Sequence, residues 1–408
     1  MKNIIIFLIT YLGIAVGGIP GLAIDRTGIA LLGAIAMIVS GAILPADALH
    51  AVDYPTILLL AGLMIISAQF RLGGFYSWTA LKISERFSSP ERFLLILMLL
   101  TGLMAALLTN DIVCLAFTPV IAAALLKKKI NPVPFLIGLA VAANIGSAAT
   151  IIGNPQNMLI GQTGNLAFGK FSLWCIPPVA ASLFAAYLIL LFLYRGKFMM
   201  ISAATHSSSL NEIHSIPFNR HQSIKGGIFL ITVVFLFFSP LPREVTVMTA
   251  AGLLLCSRTM KTVQLLELVD WQLITLFCGL FIVVKGITVT GLPVKLVADM
   301  SSAGLSLQNG YVLTIITAAL SNIVSNVPAT MLIVPHLETG NVTSWYILAV
   351  AGTFAGNLIT IGSIANLITF QIAEKAGIKI SFWEHAKAGI PVTVASLILL
   401  CVWIFIAG

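Results

Sequence analysis

An all-α polytopic membrane protein made of two inverted-topology repeats is the fold class this sequence predicts. Three observations predict it. The 408-residue chain is 59% hydrophobic and only 9% charged, far from the balance of a soluble domain. Its apolar residues fall into roughly ten runs of the ~20-residue length that crosses a bilayer, plus shorter ones. Three motifs of the first half also recur, in the same order, in the second.

The apolar runs are read as helices because a backbone in lipid must satisfy its own hydrogen bonds. The five cysteines (Cys114, Cys175, Cys256, Cys278, Cys401) are scattered, without zinc-site spacing or a disulfide framework. The formal charge of +8 is expected to reflect cytoplasmic lysines and arginines rather than a nucleic-acid partner. Ile4 to Val16 behind Lys2 has the look of a signal segment, but no small-residue cleavage site follows, and it is read as the first span.

The repeat rests on particular residues. Asp53-Tyr54-Pro55-Thr56 opens an apolar run, as Asp270-Trp271-Gln272-Leu273 does 217 positions later. Thr109-Asn110-Asp111 is matched by Ser325-Asn326-Val327 at an offset of 216. Gly153-Asn154-Pro155-Gln156-Asn157 is matched by Gly362-Ser363-Ile364-Ala365-Asn366 at 209. The expected domains are a first transmembrane repeat, 1–194, a polar linker, 195–224, and a second repeat, 225–408.

Each repeat reads as three spans (4–21, 27–44 and 54–70, against 225–239, 244–258 and 271–289) and then a partly amphipathic stretch, clearest at Phe75 to Phe87. Two short limbs around a polar tip follow (93–108 and 112–126, against 310–323 and 328–336), too short for two full crossings and so read as a re-entrant hairpin. A broken helix (134–163, against 344–375) and a closing span (173–194, against 389–407) complete each unit. Five spans plus a hairpin is an odd number of crossings, so the second unit must be inverted. This topology puts 17 of the 22 lysines and arginines on one side, a bias that marks the cytoplasm. The expectation is a multi-pass protein of the inner (plasma) membrane, with a cytoplasmic linker and both termini external.

Polar groups at membrane depth are costly and usually face a cavity that serves ions or protons. The first tip sets Thr109, Asn110 and Asp111 inside an apolar stretch of 34 residues, 93–126. The second tip has Ser325 and Asn326 but no acid, and Pro328 suits the first turn of a helix that starts after a break. Plain helix capping is the bland reading of Asp111 and Asn326. Asn144, Thr150, Gly153, Asn154 and Asn157 mark the first broken helix, and Asn357, Thr360, Gly362, Ser363 and Asn366 the second. Carbonyls freed at such breaks can coordinate a cation or bond a substrate. Cys114, one turn after Asp111, is a thiol suited to a soft metalloid or a small buried hydrophobe. Lys285 near a helix end can snorkel, and His336 and Glu338 sit near the outer mouth of the second hairpin. No Gly-rich phosphate loop followed by Lys is present, so transport rather than ATP-driven or enzymatic chemistry is expected.

Paired breaks between inverted repeats are how secondary transporters build their sites, and these motifs resemble the ion transporter superfamily. That group includes ArsB-type arsenite/antimonite permeases, YbiR-like anion transporters, NhaD-type sodium/proton antiporters and divalent-anion/sodium symporters. The resemblance spans nearly the whole chain and is specific at the two tips and two breaks. It implies that Thr109, Asn110, Asp111, Asn154, Asn157, Ser325, Asn326, Ser363 and Asn366 hold substrate and coupling ion, H⁺ or Na⁺, without a cofactor. Divalent-anion symporters carry Ser-Asn-Thr at both tips, whereas Thr-Asn-Asp and Ser-Asn-Val-Pro here are closer to ArsB. The resemblance thus favours proton-coupled arsenite or antimonite efflux over sodium-coupled movement of a small anion or sodium/proton antiport. It also admits a homodimer and, for a true ArsB, a soluble ATPase partner. In intact cells, an impermeant thiol reagent should label cysteines placed near Asp47 and Arg243. Labelling of Ser208→Cys would reverse the orientation.

Overall fold

The computed structural model describes residues 1–18, 22–85, 89–199, 217–257 and 260–407. Arg86, Arg258 and most of the polar linker, with His206, Ser208 and His214, lie outside the described residues. Twenty α-helices make up the described chain, and its only β-type pairing is an isolated bridge between Ile130 and Met199.

The first spans are α1 (Lys2–Val16), α2 (Arg26–Val39) and α4 (Tyr54–Leu72), with a short α3 (Pro45–Ala51) before α4. Their counterparts are α11 (Arg220–Leu236), α12 (Arg243–Leu255) and α14 (Trp271–Thr288), with a short α13 (Thr262–Leu266) before α14. α1 and α2 are shorter than expected because glycine turns close them. Gly17 adopts φ 88° and Gly41 φ 66°, the left-handed conformation that ends helices. α4 and α14 begin alike. The carboxylates of Asp53 and Asp270 accept from the Thr56 and Leu273 amides, both at 2.9 Å, as N-caps do.

The amphipathic stretches are α5 (Phe75–Glu85) and α15 (Leu292–Ser302). They lead into the hairpins α6 (Pro90–Leu108) and α7 (Asn110–Lys127), and α16 (Gly310–Val324) and α17 (Asn326–Ile333), the latter extended by a 3₁₀ turn at Val334–His336. The broken helices are α8 (Val133–Ser147) with α9 (Pro155–Thr163), and α18 (Val342–Ala355) with α19 (Ile364–Lys375). α10 (Phe168–Leu193) and α20 (Phe382–Ala407) close the halves.

The limbs of the first hairpin are longer than the sequence suggested: among the described residues six helices are long and apolar enough to cross a membrane, and α6 and α7 are two of them. Their packing starts both limbs from one end of the bundle. Glu91, at the start of α6, accepts from the Tyr187 hydroxyl at 3.3 Å, and Asn131, just past α7, donates to the Phe198 carbonyl at 2.9 Å. Both outer ends therefore lie at the C-terminal end of α10.

α10 and α20 run antiparallel: Tyr194 bonds Glu384 at 2.8 Å at one end, and Trp174 meets Trp403 at the other. The second hairpin opens the opposite way, since Gly310 abuts Ile404 near the end of α20. The two hairpins thus enter the bundle from opposite ends.

The centre of the bundle is formed by α8 and α18, whose residues Pro134–Ser147 and Ser344–Ala355 are all buried. Helices apolar all round belong inside. Without a hydrophobic drive between helices in lipid, close backbone approach replaces it. A Cβ on Gly146 would lie 2.3 Å from the Gly102 backbone of α6, so this crossing exists only with glycine. Gly146→Ala should cost about 1–3 kcal/mol and lower the thermal unfolding midpoint in detergent. Gly252→Ala, with nothing within 4 Å of its Cβ, should leave the midpoint unchanged.

Candidate functional site

Four helices begin inside the bundle: α7 and α17 after the hairpin tips, α9 and α19 after the breaks. Each tip is a single residue in a backbone region nearly reserved for glycine: Thr109 at φ 67°, ψ 137° and Ser325 at φ 75°, ψ 160°. Such strain costs of order 1–3 kcal/mol and persists where surrounding structure enforces it. α9 and α19 are capped, with Asn154 accepting from Asn157 N at 2.8 Å and Ser363 from Ala365 N at 3.2 Å. The four N-termini bring their positive dipole ends to one place.

Each tip is tied to the break of its own half. The Asn110 amide N–H donates to Gly153 O at 3.0 Å. Asn326, with its carboxamide nitrogen turned to the carbonyls, donates to Gly362 O at 3.1 Å and Gly352 O at 3.2 Å.

The halves are tied together through Asn144. Its Oδ1 accepts from Asn110 Nδ2 at 3.2 Å and Ser363 Oγ at 2.8 Å, and its Nδ2 donates to Asn357 Oδ1 at 2.9 Å and Asn366 Oδ1 at 3.0 Å. All four bonding positions of this amide are filled. A reciprocal contact runs the other way: Asn154 and Gln156 donate to the Thr353 hydroxyl at 3.2 and 2.6 Å. Thr353 is what the 209-residue offset carries Asn144 onto, so 144–363 and 353–154 are equivalent pairs.

A cavity of about 30 Å³ lies where these elements meet, lined by Asn110, Asp111, Asn154, Pro155, Gln156, Leu273, Ser325, Asn326, Val327, Thr353, Ser363 and Ile364. It has room for a water or a small ion. Asp111 is the single charged residue in its wall. The Asp111 side chain does not cap α7, whose N-cap is Thr109, and its carboxylate has no hydrogen-bond partner among the described residues. A second cavity of about 60 Å³ shares Asp111, Pro155 and Leu273 and extends to Ser67, Arg71 and Asp270. Six buried amide atoms have no protein partner among the described residues, and three of them, Asn110 Oδ1, Asn157 Oδ1 and Asn357 Nδ2, belong to the first tip and the two breaks. Buried polar atoms seldom stay unpaired, so these are natural points for a ligand.

Not every expected residue reaches the cavity. Thr150 bonds the Ala106 carbonyl and braces the first break against α6. Asn157 holds the break itself, donating to Ser147 O at 3.3 Å and Thr150 O at 3.0 Å. Thr360 faces away, 3.4 Å from His385 Nδ1 on α20; its counterpart in the first half is the apolar Ile151. Gly153 is needed for space, since a Cβ there would sit 2.0 Å from Ser147 O. Cys114 is buried and His336 lies at the outer end of the second hairpin, neither in the cavity wall. Gln156, Thr353, Leu273 and Asp270 were not anticipated in the site; Gln156, Leu273 and Asp270 stand inside the repeated motifs, and the repeat offset points to Thr353.

Asn144→Ala should leave the carboxamides of Asn357 and Asn366 and the Asn110 nitrogen without their shared partner. Unpaired buried groups cost about 1–3 kcal/mol each, so the thermal midpoint should fall by more than for Ser396→Ala, a change at a buried hydroxyl remote from the breaks.

A sequence model described as "Citrate transporter" (CitMHS) matches residues 5–355 of this chain. The "46 kDa membrane protein" of Mycobacterium leprae is 32% identical over 99% of this chain and 97% of its own. The rice "Silicon efflux transporter LSI3" is 28% identical over 92% and 91%, and the Dictyostelium discoideum "Putative transporter arsB" 24% over 93% and 87%. The solved structure of Neisseria gonorrhoeae MtrF, titled among "antimetabolite efflux pumps", shares the fold at a TM-score of 0.60 over 100% of this chain and 95% of its own, with 16% identity.

Proposed function

Since the chain belongs to the CitMHS citrate transporter family and is a multi-pass secondary transporter, we propose that it exports arsenite or antimonite in exchange for protons. The observation that carries this reading is the cavity wall: amides, hydroxyls and helix N-termini, with Asp111 as its one charge and no cationic side chain. Arsenite at neutral pH is a small uncharged hydroxy acid, which offers and accepts hydrogen bonds, as amides do. A multiply charged carboxylate would call for balancing cations, and the cavity of about 30 Å³ is far below the few hundred Å³ usual for larger ligands. The relatives named for silicon efflux and for arsB support a hydroxylated substrate. Asp111 is the group that would exchange a proton for substrate.

In this reading the two halves are inverted repeats in the inner membrane, with the linker cytoplasmic. The cavity with Arg71 and Asp270 is then the cytoplasmic approach to Asp111, because Arg71 stands on the side rich in basic residues.

A second reading, sodium-coupled movement of a small anion, is favoured by the four helix N-termini, which attract anions. The unpaired oxygens of Asn110 and Asn157 would serve the cation. Sodium/proton antiport is the third.

Proteoliposome flux separates them. Arsenite should move with an imposed pH gradient, and neither succinate nor citrate should move with a sodium gradient. Asp111→Asn should reduce pH-driven arsenite flux to background while the protein inserts normally. Wild-type flux in that variant would remove Asp111 from the coupling step.

A further inference from the structure

Arg243 opens α12, an unfavourable place for a guanidinium because the helix's own dipole is positive there. Its contacts explain the position. Nη1 donates to the Gly161 carbonyl at 3.1 Å and to Gln162 Oε1 at 3.3 Å, and Nη2 donates to the Leu166 carbonyl. Gln162 Nε2 donates in turn to Glu244 Oε2 at 3.0 Å. The charge therefore meets the negative end of α9, where the last carbonyls of a helix lack helical partners.

The two ends of this connection are firmly placed. α12 is pressed on α4 at Gly62, where a Cβ would come within 2.4 Å of Val247. α9 has nine residues, about 13 Å of helix, and its opposite end carries Asn154, Gln156 and Asn157. Along the way Gly161 bears on Ile151 of the break, where a Cβ would come within 2.4 Å. A short rigid element thus joins the Arg243 contacts to the cavity.

We infer that Arg243 is a positioning residue: by clamping the C-terminal end of α9, it sets where Asn154 and Gln156 stand in the cavity wall. The inference rests on that cavity being the transport site, but its first test needs no substrate.

Hydrogen exchange on the full chain in lipid nanodiscs supplies that test. Arg243→Ala should speed exchange across 154–164 by about tenfold, the scale on which local opening responds to a lost charge-assisted clamp. Arg243→Lys should restore protection only in part, since an ammonium cannot reproduce the planar fork. Lys170→Ala, an exposed cation beside the same surface, should change nothing.

In pH-driven arsenite flux, Arg243→Ala should raise the half-saturating concentration more than it lowers the maximal rate. Unchanged protection across 154–164, or an equal loss in every span, would overturn the inference. If Arg243→Ala does not insert, Arg243→Lys decides: protection across 154–164 below wild type supports the clamp, and wild-type protection overturns it. Absence of arsenite flux in the wild type would count against the substrate alone, and the exchange result would still decide the clamp.

Discussion

A helix inside a bilayer can be interrupted only where other groups take up the backbone donors and acceptors that the break frees. This chain interrupts its helical course in four places around one point, and the rest of the architecture follows from closing those gaps. Asparagine is the residue that closes them, because a carboxamide both donates and accepts. Asn144 does so for both halves at once, holding a hairpin tip on one side and the second break on the other. Glycine supplies the remaining requirement, space: Gly153 and Gly146 let backbone meet backbone where any side chain would intrude.

A polar network at this depth is stabilising only when nearly complete, since low surrounding polarity strengthens each bond and raises the cost of each orphan. Within this network the amides of Asn110, Asn157 and Asn357 each keep one atom without a partner among the described residues. Strain adds to the same picture, with Thr109 and Ser325 held in conformations that a soluble loop would give to glycine. The unpaired Asn110, the strained Ser325 and the starts of all four inner helices meet at one small cavity.

The two halves match in geometry but not in charge. Asp53 and Asp270 cap equivalent helices with equal bond lengths, yet the tip facing Asp270 carries Asp111 while the corresponding position of the other tip is Val327. Asp111 and Asp270 line one cavity.

Much of this was legible in the residues themselves. Helix order, the two tips and the two breaks follow from local chemistry: Gly-Asn-Pro cannot continue a helix, Pro328 begins one, and apolar runs in lipid have no other form. The positions where α1 and α2 stop were less legible, because Gly17 and Gly41 end helices through a backbone angle that hydropathy does not encode. Partnership within the site was decided only by the tertiary structure. Asn144 reaches residues more than 200 positions away, Thr360 turns toward His385 instead of the cavity, and Arg243 grips α9 across some 80 positions. Local sequence determines where a backbone must break, because breaking is a property of a few adjacent residues. Which distant side chain receives the freed group depends on how the helices pack, and that is a property of the whole bundle.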